Sequence, residues 1–356
     1  MLVIRPIRNK DLDALYGMAE EAGVGVTSLP ANRDLLARRI ALAEDAIEQR
    51  VAPEHARYLF AMEDLDTGRC AGVCGIDARV GLDDVWYNYR VSTMVNASSE
   101  LGIHVQTPTL FLTNDMTNCS ELCSLYLAEP YRQGGNGLFL SRCRSLFLAD
   151  FQEFFSDKIF AEMRGYSDEE GRSPFWEALG RRFFSMEFQD ADYLTGLGNK
   201  SFIAELMPKN PIYLPLLPKA AREVIGKVHD NTRPALHMLE EEGFNFNGLV
   251  DIFDGGPVLE AFIRNIRAVR ESFNRHALVS RQEVETPLTA DNTVLVSNGS
   301  FRDFRVIRLP ASCVKADTIS IPAKAAQALQ ISSGDVVRIV SLKDKHVANV
   351  PKRRFS

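Results

Sequence analysis

The segment Glu121-Leu122-Cys123-Ser124-Leu125-Tyr126-Leu127, which runs through Pro130 into Arg132-Gln133-Gly134-Gly135-Asn136-Gly137, constrains this chain more than any other. An apolar β-type run enters a glycine loop. Proline-free helical sequence then follows, with Leu138, Phe139, Ser141, Arg142, Ser145, Leu146, Leu148, Phe151 and Phe155. The loop therefore lies at a helix N-terminus, where unpaired backbone N–H groups and the positive end of the helix dipole create a place for phosphate oxygens. The G-x-G-x-x-G fingerprint and the G-x-x-x-x-G-K-[ST] loop are both absent. Those folds also require parallel β-α-β units, whereas the sequence ahead of this loop reads as hairpins.

The chain opens β-α-α: a short β run at Leu2–Ile4, then helical spacing over Asp11–Glu21 and Leu35–Ile47. Tyr58–Glu63 and Cys70–Val80 flank Asp64-Leu65-Asp66-Thr67-Gly68, a turn composition that predicts an antiparallel hairpin. Further strands are expected at Tyr87–Val95 and Thr109–Thr113, with His104–Pro108 between them, and a buried strand at Lys158–Met163. Ser173-Pro174 starts a helix that stops at Gly180, with Ser as N-cap and Pro in the first turn; a β run over Phe183–Phe188 is expected next. A similar helix-stop-strand unit, Pro234–Glu242, Gly243, then Phe244–Phe253, suggests two related halves, 1–190 and 191–285. From about Val284 short strands take over, with Asn298-Gly299 as a hairpin turn, strands at Thr318–Ile321 and Val336–Leu342 and a short helix at Ala323–Leu329 between them. The expected class is a mixed-sheet α/β chain: a larger α/β region over 1–285 and a small β-barrel module over 286–356 that ends in the solvated basic tail Lys352-Arg353-Arg354.

Composition excludes several functions. At 356 residues, 46% hydrophobic and 25% charged, the chain is long enough to bury a sizeable core. A formal charge of −6 opposes the broad basic surface that nucleic acid requires, so no nucleic-acid partner is expected. The start of the chain is charged and proline-broken too early for a signal peptide, and no apolar window is long enough to span a membrane, which points to the cytoplasm. Six cysteines, at 70, 74, 119, 123, 143 and 313, are too sparse for a disulfide framework. No His pair or CxxC cluster completes a zinc tetrahedron around them, so no metal is expected.

The Arg132, Gly135 and Gly137 spacing, after a strand and before a helix, resembles the coenzyme A pyrophosphate loop of the GNAT acyltransferase superfamily. Longer blocks extend the likeness along nearly the whole chain. Thr27-Ser28-Leu29-Pro30-Ala31-Asn32, Trp86-Tyr87-Asn88-Tyr89-Arg90-Val91, Pro108-Thr109-Leu110-Phe111-Leu112, Ser120-Glu121-Leu122-Cys123, Gly134-Gly135-Asn136-Gly137, Ala161-Glu162-Met163-Arg164-Gly165, Ser173-Pro174-Phe175-Trp176, Phe202-Ile203-Ala204-Glu205-Leu206-Met207-Pro208 and Asp251-Ile252-Phe253-Asp254-Gly255-Gly256-Pro257 resemble the arginine N-succinyltransferase family.

That resemblance implies transfer of a succinyl group from succinyl-CoA to the α-amine of L-arginine, with succinyl-CoA as a substrate and no permanently bound cofactor. The family's acid/base histidine falls in Gly226-Lys227-Val228-His229, so His229 is the matching residue. Histidine titrates near neutrality and can take a proton from the amine and return one to sulfur. Equally, a histidine before Asp230-Asn231-Thr232 can shape the entry to the next helix. His104 is a secondary candidate, while His55, His237, His276 and His346 read as solvated. Leu125 matches the succinyl-CoA contact ahead of the loop and implies main-chain bonding, and Arg132 adds charge at the phosphates. Arg90, Asn114, Asp115 and Glu121 are candidates for acceptor recognition without assignment. Competing readings are succinylation of ornithine or another basic amino acid, and a catalytically dead CoA-binding subunit; partners beyond the two substrates are a homo-oligomer or a hetero-oligomer with a paralogous chain.

Overall fold

The computed structural model describes residues 1–22, 29–196, 201–282 and 286–343. Thr27, Ser28, Val284, His346 and the tail Lys352-Arg353-Arg354 lie outside the described residues.

Strand β1 (Leu2–Pro6) precedes helices α1 (Leu12–Ala22) and α2 (Arg33–Ile47), and Asn32 caps α2 by accepting from the Leu35 N–H at 3.1 Å. The predicted hairpin follows as β2 (Arg57–Asp64) and β3 (Arg69–Asp77), turning at Gly68 with φ +69°. A long hairpin comes next, β4 (Asn88–Ser98) and β5 (Ile103–Thr113). Then come β6 (Ser120–Leu127), α3 (Asn136–Asp150) and β7 (Lys158–Glu162). Short elements follow: α4 (Pro174–Ala178), α5 (Gly180–Phe184), α6 (Phe188–Gly196), α7 (Ser201–Leu206), β8 (Ile212–Tyr213) and α8 (Lys219–Val224). Helix α9 (Arg233–Glu241) leads to β9 (Asn245–Val250), β10 (Pro257–Phe262), α10 (Arg267–Glu271) and β11 (Phe273–Ser280). The chain continues through β12 (Thr293–Ser297), β13 (Val306–Pro310), β14 (Thr318–Pro322), α11 (Ala323–Leu329) and β15 (Val336–Ser341).

Among the described residues the fifteen strands join one sheet in the order β14-β11-β15-β12-β13-β1-β2-β3-β6-β7-β10-β9-β4-β5-β8. Alternation along β2 assigns its two faces. Tyr58, Phe60 and Met62 face the cluster around α3, while Leu59 and Ala61 pack with Leu15, Met18, Leu36 and Ile40 of α1 and α2. Helix α3 is buried nearly all round, from Phe139 to Leu148, as expected for a helix covered on both sides. Its Arg142 is matched inside the protein, donating to Glu241 at 2.7 Å and to the Leu342 carbonyl. Among the described residues no helix is long and apolar enough to cross a membrane.

Three expectations need correction. Residues His104–Pro108 do not separate two strands but lie within β5, with Pro108 opposite Thr93. Prolines are accommodated near sheet edges, and the outer neighbour of β5 is only the two-residue β8. The run Phe183–Phe188 is not a strand: it spans the end of α5, Ser185 in the left-handed region at φ +52°, and the start of α6. Phe184 and Phe188 pack on Trp176, with ring centroids 5.3 and 6.2 Å away, so tertiary packing decides a run whose pattern fits either state. Of the two helix-stop-strand units, only the second ends in a strand. Finally, the C-terminal strands, joined by β11, extend the main sheet through β13 and β1, with Ile4 opposite Val306. Among the described residues no β13–β14 pairing closes them into a ring.

Candidate active site

Strands β6 and β7 run parallel but pair only at Ser120–Ile159 and Glu121–Phe160, then part. The opening between them is a groove of about 960 Å³. Residues 122–127 form one wall and 161–164 the other, with the glycine loop at one end and Pro234, Ala235, Met238 and Leu239 of α9 facing it. A bulge shapes the first wall. The register against β3 passes from Val73–Tyr126 to Gly75–Cys123, so β6 carries one extra residue here, and Ser124 sits at φ +55°. An extra residue interrupts the ladder and turns backbone groups out of it. Leu125 sits at that break, its side chain packed against the main core. This is the geometry that a main-chain contact from Leu125 requires.

At the loop, Gly134 and Gly135 have φ +57° and +75°, the left-handed region that favours glycine. Gly135 is the N-cap of α3, and Asn136 is anchored by its side-chain N–H to the Tyr131 carbonyl at 2.8 Å. A Cβ on Gly137 would meet nothing nearer than Met238 Sδ at 4.0 Å, so Gly137 keeps space open toward the groove. A Cβ on Gly135 would instead approach Leu342 at 3.4 Å and Ala290 at 3.8 Å; its requirement is conformational. Arg132 lines the groove, donates to the Leu127 carbonyl at 2.8 Å and stacks over Tyr126.

A second cavity, of about 310 Å³, shares Glu121, Cys123, Ser124 and Glu162 with the groove. Its lining combines carboxylates, including Asp77 and Asp251, with the guanidinium groups of Arg38, Arg39 and Arg57. Glu162 is oriented through Oε1 by Trp86 Nε1 at 3.1 Å and Asn88 Nδ2 at 2.7 Å. Ligand atoms of Asp77, Glu121 and Cys123 lie within 4.8 Å of one another. Burial, reinforced by the charges of Asp77 and Glu121, pushes the Cys123 thiol well above its ordinary pKa. It stays protonated, which makes it a poor nucleophile and a poor metal ligand.

His229 is half-buried beside the groove. Its neighbours Arg164, Asp230 and Asn231 line the groove; the described lining does not include its ring. An isolated bridge between Gly165 and Val228 brings it to the end of β7. Below that bridge, buried Asp254 accepts from the N–H groups of Gly165 at 2.6 Å and Gly256 at 2.8 Å. A Cβ on Gly256 would stand 2.1 Å from the Met163 carbonyl, so this crossing admits only glycine. Burial, and then the charge of Arg164, lower the His229 pKa, while Asp230 opposes them. The ring is neutral at neutral pH.

The other sequence candidates separate. Arg90 pairs with Asp115, and Asn114 donates to the Trp86 carbonyl at 2.6 Å, so these three hold the β4–β5 base. Glu121 lies at the neck between the two cavities. His104 is exposed on β5, and His55, His237 and His276 lie outside both linings. Sequence reasoning missed Ser124, Glu162, Arg164, Arg39 and Asp77. Glu162 and Arg164 fell within a family-like block, whereas Arg39 and Asp77 meet Glu121 only through the fold.

A groove along a bulged strand with a helix N-terminus at one end, joined through a carboxylate-lined neck to a small charged pocket, suits a bulky phosphorylated donor meeting a small polar acceptor. The class is a CoA-dependent acyltransferase. Residues 2–268 match the family described as arginine N-succinyltransferase beta subunit, and residues 275–341 match the C-terminal domain of that subunit. Arginine N-succinyltransferase subunit beta of Pseudomonas aeruginosa is 50% identical over 341 residues, covering 96% of this chain and 98% of that protein. Arginine N-succinyltransferase of Escherichia coli is 46% identical over 342 residues, with the same coverage. The solved structure of arginine/ornithine succinyltransferase subunit AI from P. aeruginosa superposes with a TM-score of 0.88 at 35% identity, covering 97% of this chain and 99% of that one. The chain belongs to the arginine N-succinyltransferase family.

Proposed function

We propose that this chain transfers the succinyl group of succinyl-CoA to the α-amine of L-arginine, giving N2-succinylarginine and CoA, and that it works in the cytoplasm. The observation that carries this reading is the neck at Glu121, Cys123, Ser124 and Glu162, where the 960 Å³ groove opens into the 310 Å³ cavity. In this reading the loop N–H groups of Gly135 and Gly137 and the charge of Arg132 hold the pyrophosphate, and the backbone of Leu125 holds the pantetheine arm. The smaller cavity takes the acceptor. Its mixed lining suits arginine, which brings one carboxylate and two cationic groups.

With both substrates held, the deprotonated amine attacks the thioester carbonyl directly, and the tetrahedral adduct collapses with loss of CoA thiolate. A protonated Cys123 gives no reason to invoke an acyl-enzyme. His229 exchanges the protons, its depressed pKa keeping it ready to accept one. The relatives named as subunits support an assembly of several chains.

The test is thiol release from succinyl-CoA by the purified chain, with and without arginine. Arginine-dependent release with N2-succinylarginine as product supports the reading, and no release in the presence of arginine overturns it. Comparing kcat/KM for arginine and ornithine assigns the acceptor.

A further inference from the structure

The glycine loop does not hold its shape alone. Two consecutive residues in the left-handed region, the second of them a helix N-cap, depart from the extended N-cap conformation in which a side chain caps the helix. Glycine permits this conformation but does not select it, because it populates both signs of φ. Bonds from Asn136 to the Tyr131 and Gln133 carbonyls hold part of it from within, and a contact from outside the loop adds to them.

The contact comes from the far end of the sequence. Arg308, on β13, donates from Nη1 to the Gly134 carbonyl at 2.7 Å, and its guanidinium stacks over Phe139 at 5.1 Å from the ring centroid. Phe139 belongs to the first turn of α3, and its N–H donates to the Gly135 carbonyl at 3.0 Å. One side chain therefore touches the loop and the helix that follows it. Arg308 makes no ion pair among the described residues, so no carboxylate draws it elsewhere. Its strand is fixed on both sides, by β12 and by β1. Leu342 and Ala290, also from the C-terminal part of the chain, stand behind Gly135.

We propose that Arg308 is a positioning residue for the acyl donor: it holds the Gly134–Gly135 turn in its anion-binding shape, which makes the C-terminal strands part of the donor site. This rests on the reading of the loop as the pyrophosphate site. A guanidinium suits the task because its rigid fork can bond a carbonyl while its face stays on a ring, which an ammonium on a flexible stem does not reproduce.

The experiment measures Kd for CoA by calorimetry, KM for each substrate and thermal stability without ligand, in Arg308→Met, Arg308→Lys and Gly137→Val. Arg308→Met keeps the apolar stem on Phe139 and removes the donor. It should weaken CoA binding about tenfold, the loss expected for one charge-assisted hydrogen bond, with KM for arginine and the melting temperature unchanged. Arg308→Lys should recover part of the affinity. Wild-type CoA affinity in Arg308→Met overturns the proposal, as does a loss that appears equally in arginine KM and in melting temperature. Wild-type affinity in Gly137→Val overturns the loop reading itself, so the two failures are distinguishable.

Discussion

The Nδ1 of His229 accepts a hydrogen bond from the backbone N–H of Asn231 at 3.2 Å. That is the N-cap geometry of the turn Asp230–Thr232, and it fixes the neutral ring with its proton on Nε2. To take a proton at Nε2 the ring has to change tautomer and give up this bond. Capping therefore holds the tautomer that proton uptake at Nε2 must give up, and a variant can divide the two roles. His229→Asn keeps a capping oxygen and loses the titratable ring. It should retain stability while turnover falls by roughly two to four orders of magnitude. His229→Ala should lose turnover equally and about 1 kcal/mol of stability as well. Urea unfolding and steady-state rates check both; wild-type turnover in His229→Asn would leave the residue a cap only.

The pH profile has a direction. Burial and the Arg164 charge favour the neutral ring, so the rising limb of the rate should lie below the ordinary histidine value of about 6.5. Arg164→Gln removes the cation, raises the His229 pKa and should shift the limb to higher pH. The same linkage makes this histidine stabilising while it is neutral, with that contribution lost as pH falls through the limb. A limb that stays in place when Arg164 is replaced assigns it to another group.

Acceptor recognition can be separated from donor binding at Asp77, which lines only the smaller cavity, near Arg57 with a 3.7 Å contact. Asp77→Asn conserves shape and removes the charge. KM for arginine should rise about tenfold or more, the usual scale for a charged hydrogen bond, while Kd for CoA stays constant. An equal change in both would place Asp77 in the framework between the cavities.

Stability should depend on Glu242, buried at the end of α9. Its Oε1 accepts from Arg267 at 2.7 Å, and its Oε2 accepts from the Ala268 N–H at 2.8 Å. Arg142 approaches the same carboxylate at 2.6 Å. Glu242→Gln removes the counter-charge that two buried guanidinium groups share, leaving Arg142 with Glu241 and Arg267 with Glu271. The expected cost is about 1.5–3 kcal/mol, measured by denaturant titration.

Local chemistry was legible where one stretch of sequence carries it. Asp64–Gly68 announces its hairpin, Ser173 its helix start, and Arg132–Gly137 its loop, because each turn or cap is fixed by residues a few positions apart. Phe183–Phe188 misleads because an aromatic run fits a strand or a packed helix, and Trp176 decides between them. Pro108 reads as a break only when its place near a sheet edge is unknown. The bulge at Ser124 leaves no signature, since serine is an ordinary strand residue. Arg39, Asp77 and Glu121 converge from three elements, and nothing in their spacing reveals that they meet.

The pairing of Ile4 with Val306 also sets an order of events during synthesis. Strand β1 is made first, yet one of its edges waits for a partner about three hundred residues downstream. At the usual 5–20 residues per second the wait is on the order of tens of seconds. Through that interval the nascent chain carries an open, apolar strand edge, and the loop, once made, lacks its contact with Arg308. The outer pairing of β1 and the support that Arg308 gives the loop thus arrive together, when β13 is made.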